Sequence, residues 1–144
     1  MNIIAKKFNK IYSIIELYKS FNKYKYTSNE ELFFYLLTTL DTKQYKVFYT
    51  DDNVTGFISW CYLDTKNEKI FLDTGEILDW NCGDIVWLVD FVAKDNIKSI
   101  IKWTKDYFAN KLKINQRVNY VRMDNEFNIY RISSQSNKEF YRHG

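Results

Sequence analysis

One acid stands alone in an apolar stretch. Residues Ile85 to Ala93 read IVWLVDFVA, and Asp90 is the single charged side chain among them. A carboxylate taken out of water without partners costs several kcal/mol, so it must be hydrogen-bonded or must hold a proton. Two roles satisfy that condition: a carboxylate fixed by backbone N–H groups at a strand end or bulge, or a desolvated general base at the lip of a cleft. Regular alternation places Asp90 on one face with Val86, Leu88 and Val92, and turns Ile85, Trp87, Val89 and Phe91 to the other.

Other chemistries are narrowed by what the chain lacks. Its only histidine is His143, next to the C-terminal residue. An internal Ser-His-Asp triad, a histidine base and a histidine-ligated metal site are therefore excluded, and no metal site is expected. Cys61 and Cys82 have no histidine to lower a thiol pKa and no metal-ligand spacing, so they read as free thiols in a reducing compartment.

Composition bounds the class. The chain has 144 residues, 46% of them hydrophobic and 27% charged, which fits one domain over residues 1–144 with a tail that frays from about residue 133. Asn, Lys, Ile, Tyr and Phe dominate, the residues favoured by AT-rich codons, so the Trp, Tyr and Phe content is weak support for a base-stacking surface. The net charge of +3 comes from scattered lysines with only four arginines, not from a basic cluster, and no nucleic-acid partner is expected. No apolar run is long enough to span a bilayer and Met1 to Ser20 lacks a signal-peptide core, so the expectation is a cytoplasmic protein without stable membrane insertion.

The elements that must position Asp90 follow from periodicity and caps. Ile4, Phe8, Ile11, Ile15 and Tyr18 form one stripe of a first helix whose other face carries lysines. Ser28 and Glu31 form a capping box before a second helix through Leu32, Phe33, Leu36, Leu37 and Leu40. Tyr45 to Thr50 and Gly56 to Leu63 read as a hairpin about Asp51-Asp52-Asn53, and Asp64 to Glu76 as polar and irregular. Ile85 to Ala93 has the pattern of a central strand covered on both faces. A helix with Ile97, Ile100, Ile101, Tyr107, Phe108 and Leu112 on its buried face follows, then strands at Val118 to Met123 and Phe127 to Ile132. The order predicts an α/β (α+β) fold with a mixed sheet flanked by helices.

Three segments together resemble the RTX toxin-activating lysine acyltransferases: Gly56-Phe57-Ile58-Ser59-Trp60-Cys61-Tyr62-Leu63, Asp79-Trp80-Asn81-Cys82-Gly83-Asp84, and Trp87-Leu88-Val89-Asp90-Phe91-Val92-Ala93. The resemblance runs from about Tyr45 to Asp124. It implies a GNAT-like fold and a cytoplasmic bacterial enzyme with no bound cofactor. Such an enzyme takes a fatty acyl group from the phosphopantetheine thioester of acyl carrier protein and transfers it to lysine ε-amines of an RTX toxin-like protein. It further implies a homodimer, Asp90 as the catalytic aspartate, and Trp60, Trp80, Lys94 and Arg122 at the substrate, with Lys94 on the phosphopantetheine phosphate.

The sequence departs from the family in two places. The family's catalytic histidine, before the second helix, corresponds to Tyr24, and the Ala-Pro-x-Gly after the central strand becomes Ala93-Lys94-Asp95-Asn96. Two outcomes follow. Either Asp90 is the base for direct attack on the thioester, with Tyr24 or Tyr26 as the acid at the departing thiolate, or the domain has lost catalysis and binds an acyl carrier, an acyl chain or a partner protein.

Overall fold

A computed structural model of the chain describes residues 3–113, 116–123 and 129–136. Helices α1 (Ile3–Lys19) and α2 (Asn29–Asp41) precede a hairpin of β1 (Tyr45–Thr50) and β2 (Asn53–Leu63). Then come α3 (Thr65–Thr74), β3 (Ile85–Ala93), α4 (Ile97–Lys111), β4 (Arg117–Met123) and β5 (Ile129–Ser136). The strands lie in sequence order in one five-stranded sheet. Every pairing is antiparallel except β3 with β4, which α4 joins as a crossover connection.

The two faces of the sheet are covered by different helices. On one face Phe57 and Val92 pack with Ile11, Ile14, Tyr18 and Leu36 of α1 and α2, and farther along Cys61, Leu63 and Trp87 pack with Phe71 of α3. On the other, Ile58, Trp60, Val86 and Val118 pack with Ile100 and Phe108 of α4. The buried faces of α1 and α4 differ from what their spacing suggests: in α1 Phe8 is 40% exposed while Ile14 and Leu17 are buried, and in α4 Ile97 and Ile101 face solvent while Thr104 is buried. The side chain of Ile4 lies outside the described residues.

Capping explains where α2 begins. Ser28 is extended, and its Oγ accepts the Glu31 N–H at 3.1 Å, satisfying one of the free donors of the first turn. Ser28→Ala should cost about 1 kcal/mol in chemical denaturation. An unchanged midpoint would mean that the first turn is held by packing instead.

Two expectations need correction. The segment read as irregular contains α3, which starts at Asp64, whose Oδ1 accepts the Asn67 N–H at 2.7 Å, and ends at Gly75 in the left-handed region (φ 76°). Both signals are local, but the helix buries no residue fully, so its apolar periodicity is faint. Ser133 to Ser136, taken as part of a fraying tail, pair with β4 from Tyr120 to Arg117. Residues 137–144, His143 among them, lie outside the described residues.

Candidate active site

A bulge in β3 aims Asp90. Ser59 pairs with Asp90 but Trp60 pairs with Leu88, so Val89 is the extra residue and the alternation slips by one. Asp90 consequently does not share a face with Val86 and Leu88, which pack toward α4. Together with Val92 it faces α1 and α2, and Val89 packs beside Trp87 on that same side of the sheet. Asp90 stands at a bulge, but the partners of its carboxylate are side-chain hydroxyls and not backbone N–H groups.

Three hydroxyls from three elements surround the carboxylate. Tyr18 of α1 donates to Oδ1 at 2.8 Å, Ser59 of β2 donates to Oδ2 at 2.5 Å, and Tyr35 of α2 also donates to Oδ2. Ser59 Oγ in turn accepts the Asp90 backbone N–H at 3.2 Å. Burial pushes the Asp90 pKa above the ordinary carboxylate range, while the bonds from Ser59, Tyr35 and Tyr18 and the nearby Lys23 ammonium pull it back. The phenols of Tyr18 and Tyr35 are held well above their usual range, first by burial and then by the Asp90 charge. They remain donors at any physiological pH.

Tyr24 joins this cluster. It sits in a short 3-10 turn, Asn22–Tyr24, with its ring edge-on to Tyr18 at 4.8 Å between centroids. Burial and the Asp90 charge raise its pKa to about 12. The loop carrying it is tied by one ammonium: Lys19 donates to the carbonyls of Tyr24 at 3.3 Å and Lys25 at 3.2 Å, and to that of Thr27. Tyr26, by contrast, is 91% exposed and has no place beside Asp90.

The remaining expected site residues disperse. Trp60 is buried on the opposite face, its ring 4.9 Å from Tyr107 and 5.6 Å from Phe108 of α4, so it does not frame Asp90. Trp80 packs in the layer with Cys61, Leu63 and Trp87, and its carbonyl accepts from Tyr62 N at 2.9 Å and Gln44 Nε2 at 2.9 Å. Lys94 is exposed just past β3, its N–H bonded to Thr55 O at 2.8 Å. Arg122 lies in β4 opposite Arg131, and its side chain is outside the described residues. Cys61 is buried with its thiol pushed up to about 12, which removes it as a nucleophile at neutral pH.

Sequence reasoning missed Tyr18, Tyr35 and Ser59 as site residues. A signal existed in part: a tyrosine on a buried helical stripe must place its hydroxyl against a polar partner.

Strands β3 and β4 pair only at Val86↔Val118 and Trp87↔Asn119 among the described residues, so the part of β3 that carries Asp90 runs past its last pairing with β4. A carboxylate held by neutral donors can accept a proton from a group brought beside it. Among the described residues no cluster of His, Cys, Asp and Glu could hold a metal ion, and no helix is long and apolar enough to cross a membrane.

Comparison with known proteins adds three findings. The sequence matches the family model described as HlyC, RTX toxin acyltransferase family, over residues 4–134. No curated protein matches it. Among solved structures the fold is similar to the loading GNATL domain of CurA from Lyngbya majuscula, with a TM-score of 0.53 and 13% identity over 81% of this chain. The chain spans 61% of the length of that structure, and at this identity the likeness concerns the fold alone.

Proposed function

Since the chain belongs to the RTX toxin acyltransferase family, we propose that it moves a fatty acyl group from the phosphopantetheine thioester of acyl carrier protein to the ε-amine of a lysine in a toxin-like protein acceptor, with Asp90 as the base. The observation that carries this reading is Asp90 itself: an acid enclosed by Tyr18, Tyr35 and Ser59 where β3 leaves β4.

The chemistry asks little more of the protein. A protonated amine has no lone pair, so attack requires that the amine lose a proton, and Asp90 accepts it. The nitrogen adds to the thioester carbonyl carbon, the C–S bond breaks, and the departing thiolate takes the second proton from the nitrogen as the amide forms. Tyr24 suits the sulfur side of this exchange. With its pKa near 12 it keeps its proton, so it serves by donating a hydrogen bond to the developing thiolate instead of surrendering the proton to a thiol that ionises near ~8.5. Direct attack needs no histidine nucleophile, which accommodates tyrosine at that position. Lys94, exposed where β3 ends and α4 begins, fits the phosphopantetheine phosphate by charge and by the neighbouring helix N-terminus.

Intact-mass measurement after incubation with acyl-loaded carrier protein and a lysine-bearing acceptor tests the reading. One acyl group should appear on the acceptor. No transfer with any chain length, together with retained binding of the carrier, would establish the alternative of a binding domain without catalysis. Tyr24→Phe should reduce kcat roughly 10- to 100-fold with little change in KM, the signature of a bond made in the transition state. An unaltered kcat would remove Tyr24 from the mechanism.

A further inference from the structure

Counting lone pairs on Asp90 identifies which oxygen is open. An ionised carboxylate offers about four acceptor positions, two on each oxygen. Among the described residues, Oδ2 receives both Tyr35 and Ser59, whereas Oδ1 receives only Tyr18. Ser59 cannot turn away, because its Oγ also takes the Asp90 backbone N–H and the two residues are paired across β2 and β3. Tyr35 comes from a different layer, on α2, and joins Ser59 and Tyr18 in holding the carboxylate against rotation about its Cβ–Cγ axis.

We propose that Tyr35 is a positioning residue for acyl transfer: with Ser59 it fills Oδ2 of Asp90 and so presents Oδ1, which has one lone pair free, to the incoming amine. This rests on Asp90 being the base. The groups that face Asp90 are Tyr18 from α1, Lys23 and Tyr24 from the 3-10 turn, Tyr35 from α2, and Ser59 and Cys61 from β2. Within physiological pH neither phenols so raised nor the Cys61 thiol near 12 change charge.

The test is the Tyr35→Phe variant, which keeps the ring and deletes only the hydroxyl. Loss of a bond that favours the charged carboxylate should move the acidic limb of the kcat/KM profile to higher pH by about one unit. The 13C NMR titration of the Asp90 carboxyl should move in the same direction. On the plateau above the limb, kcat should remain roughly 10-fold low with KM unchanged, because the carboxylate, now held by Ser59 and Tyr18 alone, is less firmly oriented. A limb and an NMR titration that both stay in place would overturn the proposal and leave Tyr35 as packing only. If the variant fails to fold, Ser59→Ala removes the other Oδ2 donor and must shift the same two readouts. The two ideas fail separately: full activity in Asp90→Asn would sink the base assignment, whereas the NMR titration reads the Tyr35 bond whether or not Asp90 acts in catalysis.

Discussion

Asp90→Asn should abolish most acyl transfer, by about 100- to 10,000-fold, while leaving the protein at least as stable at neutral pH. The activity loss is the usual contribution of a positioned general base, since an amide cannot accept the amine's proton. Stability behaves differently because burial raises the Asp90 pKa in the folded chain. Between the unfolded value and this raised one, the native state holds more protons than the unfolded state. Wild-type stability therefore falls as pH rises through that window, and the cost persists above it. Asparagine has no charge to desolvate, so the variant should show a flatter dependence of Tm on pH in the weakly acidic range. Activity lost with stability kept is what separates an acid retained for chemistry from one retained for structure. A variant that melts well below wild type at neutral pH would make Asp90 a structural anchor.

Gly83→Ala should produce the largest loss of stability. A Cβ built there would stand 2.3 Å from the Leu63 carbonyl oxygen, 2.4 Å from its carbon and 2.5 Å from Asp64 N. All three are backbone atoms at the end of β2 and the cap of α3, so none can swing aside. At Gly56 the nearest atom is the tip of the Ile100 side chain and not backbone. Relief at position 83 must come from moving the segment that leads into β3, and that segment is tied by Cys82 N to Tyr62 O at 2.7 Å and Tyr62 N to Trp80 O at 2.9 Å. The expected cost is about 3 kcal/mol or more, a Tm lowered by roughly 10 °C. Because the strain falls at the base of β3, transfer should weaken as well. A melting temperature within about a degree of wild type would contradict the close approach.

Several features were legible from the chain alone because they depend on neighbours in sequence. The cap at Ser28, the hairpin about Asp51-Asp52, the strand at Ile85 to Ala93 and the helix after Asn96 are all set by local turn chemistry and by periods of 2 or 3.6. The same locality made Asp90 conspicuous, whereas nothing in the string says which backbone Gly83 touches. Helix α3 escaped notice because its caps were clear while its apolar face was not.

What the sequence by itself determined was an acid that needed partners, and the order of elements that would have to supply them. Which partners it has was decided only in three dimensions. Ser59, Tyr35 and Tyr18 stand 31, 55 and 72 residues before Asp90, and no periodicity connects positions that far apart. The face that Asp90 occupies depended on one extra residue, Val89, in the pairing of β3 with β2. A bulge is a property of two strands in register, so regular alternation read along one of them placed Asp90 with the wrong neighbours, and the fold placed it among hydroxyls.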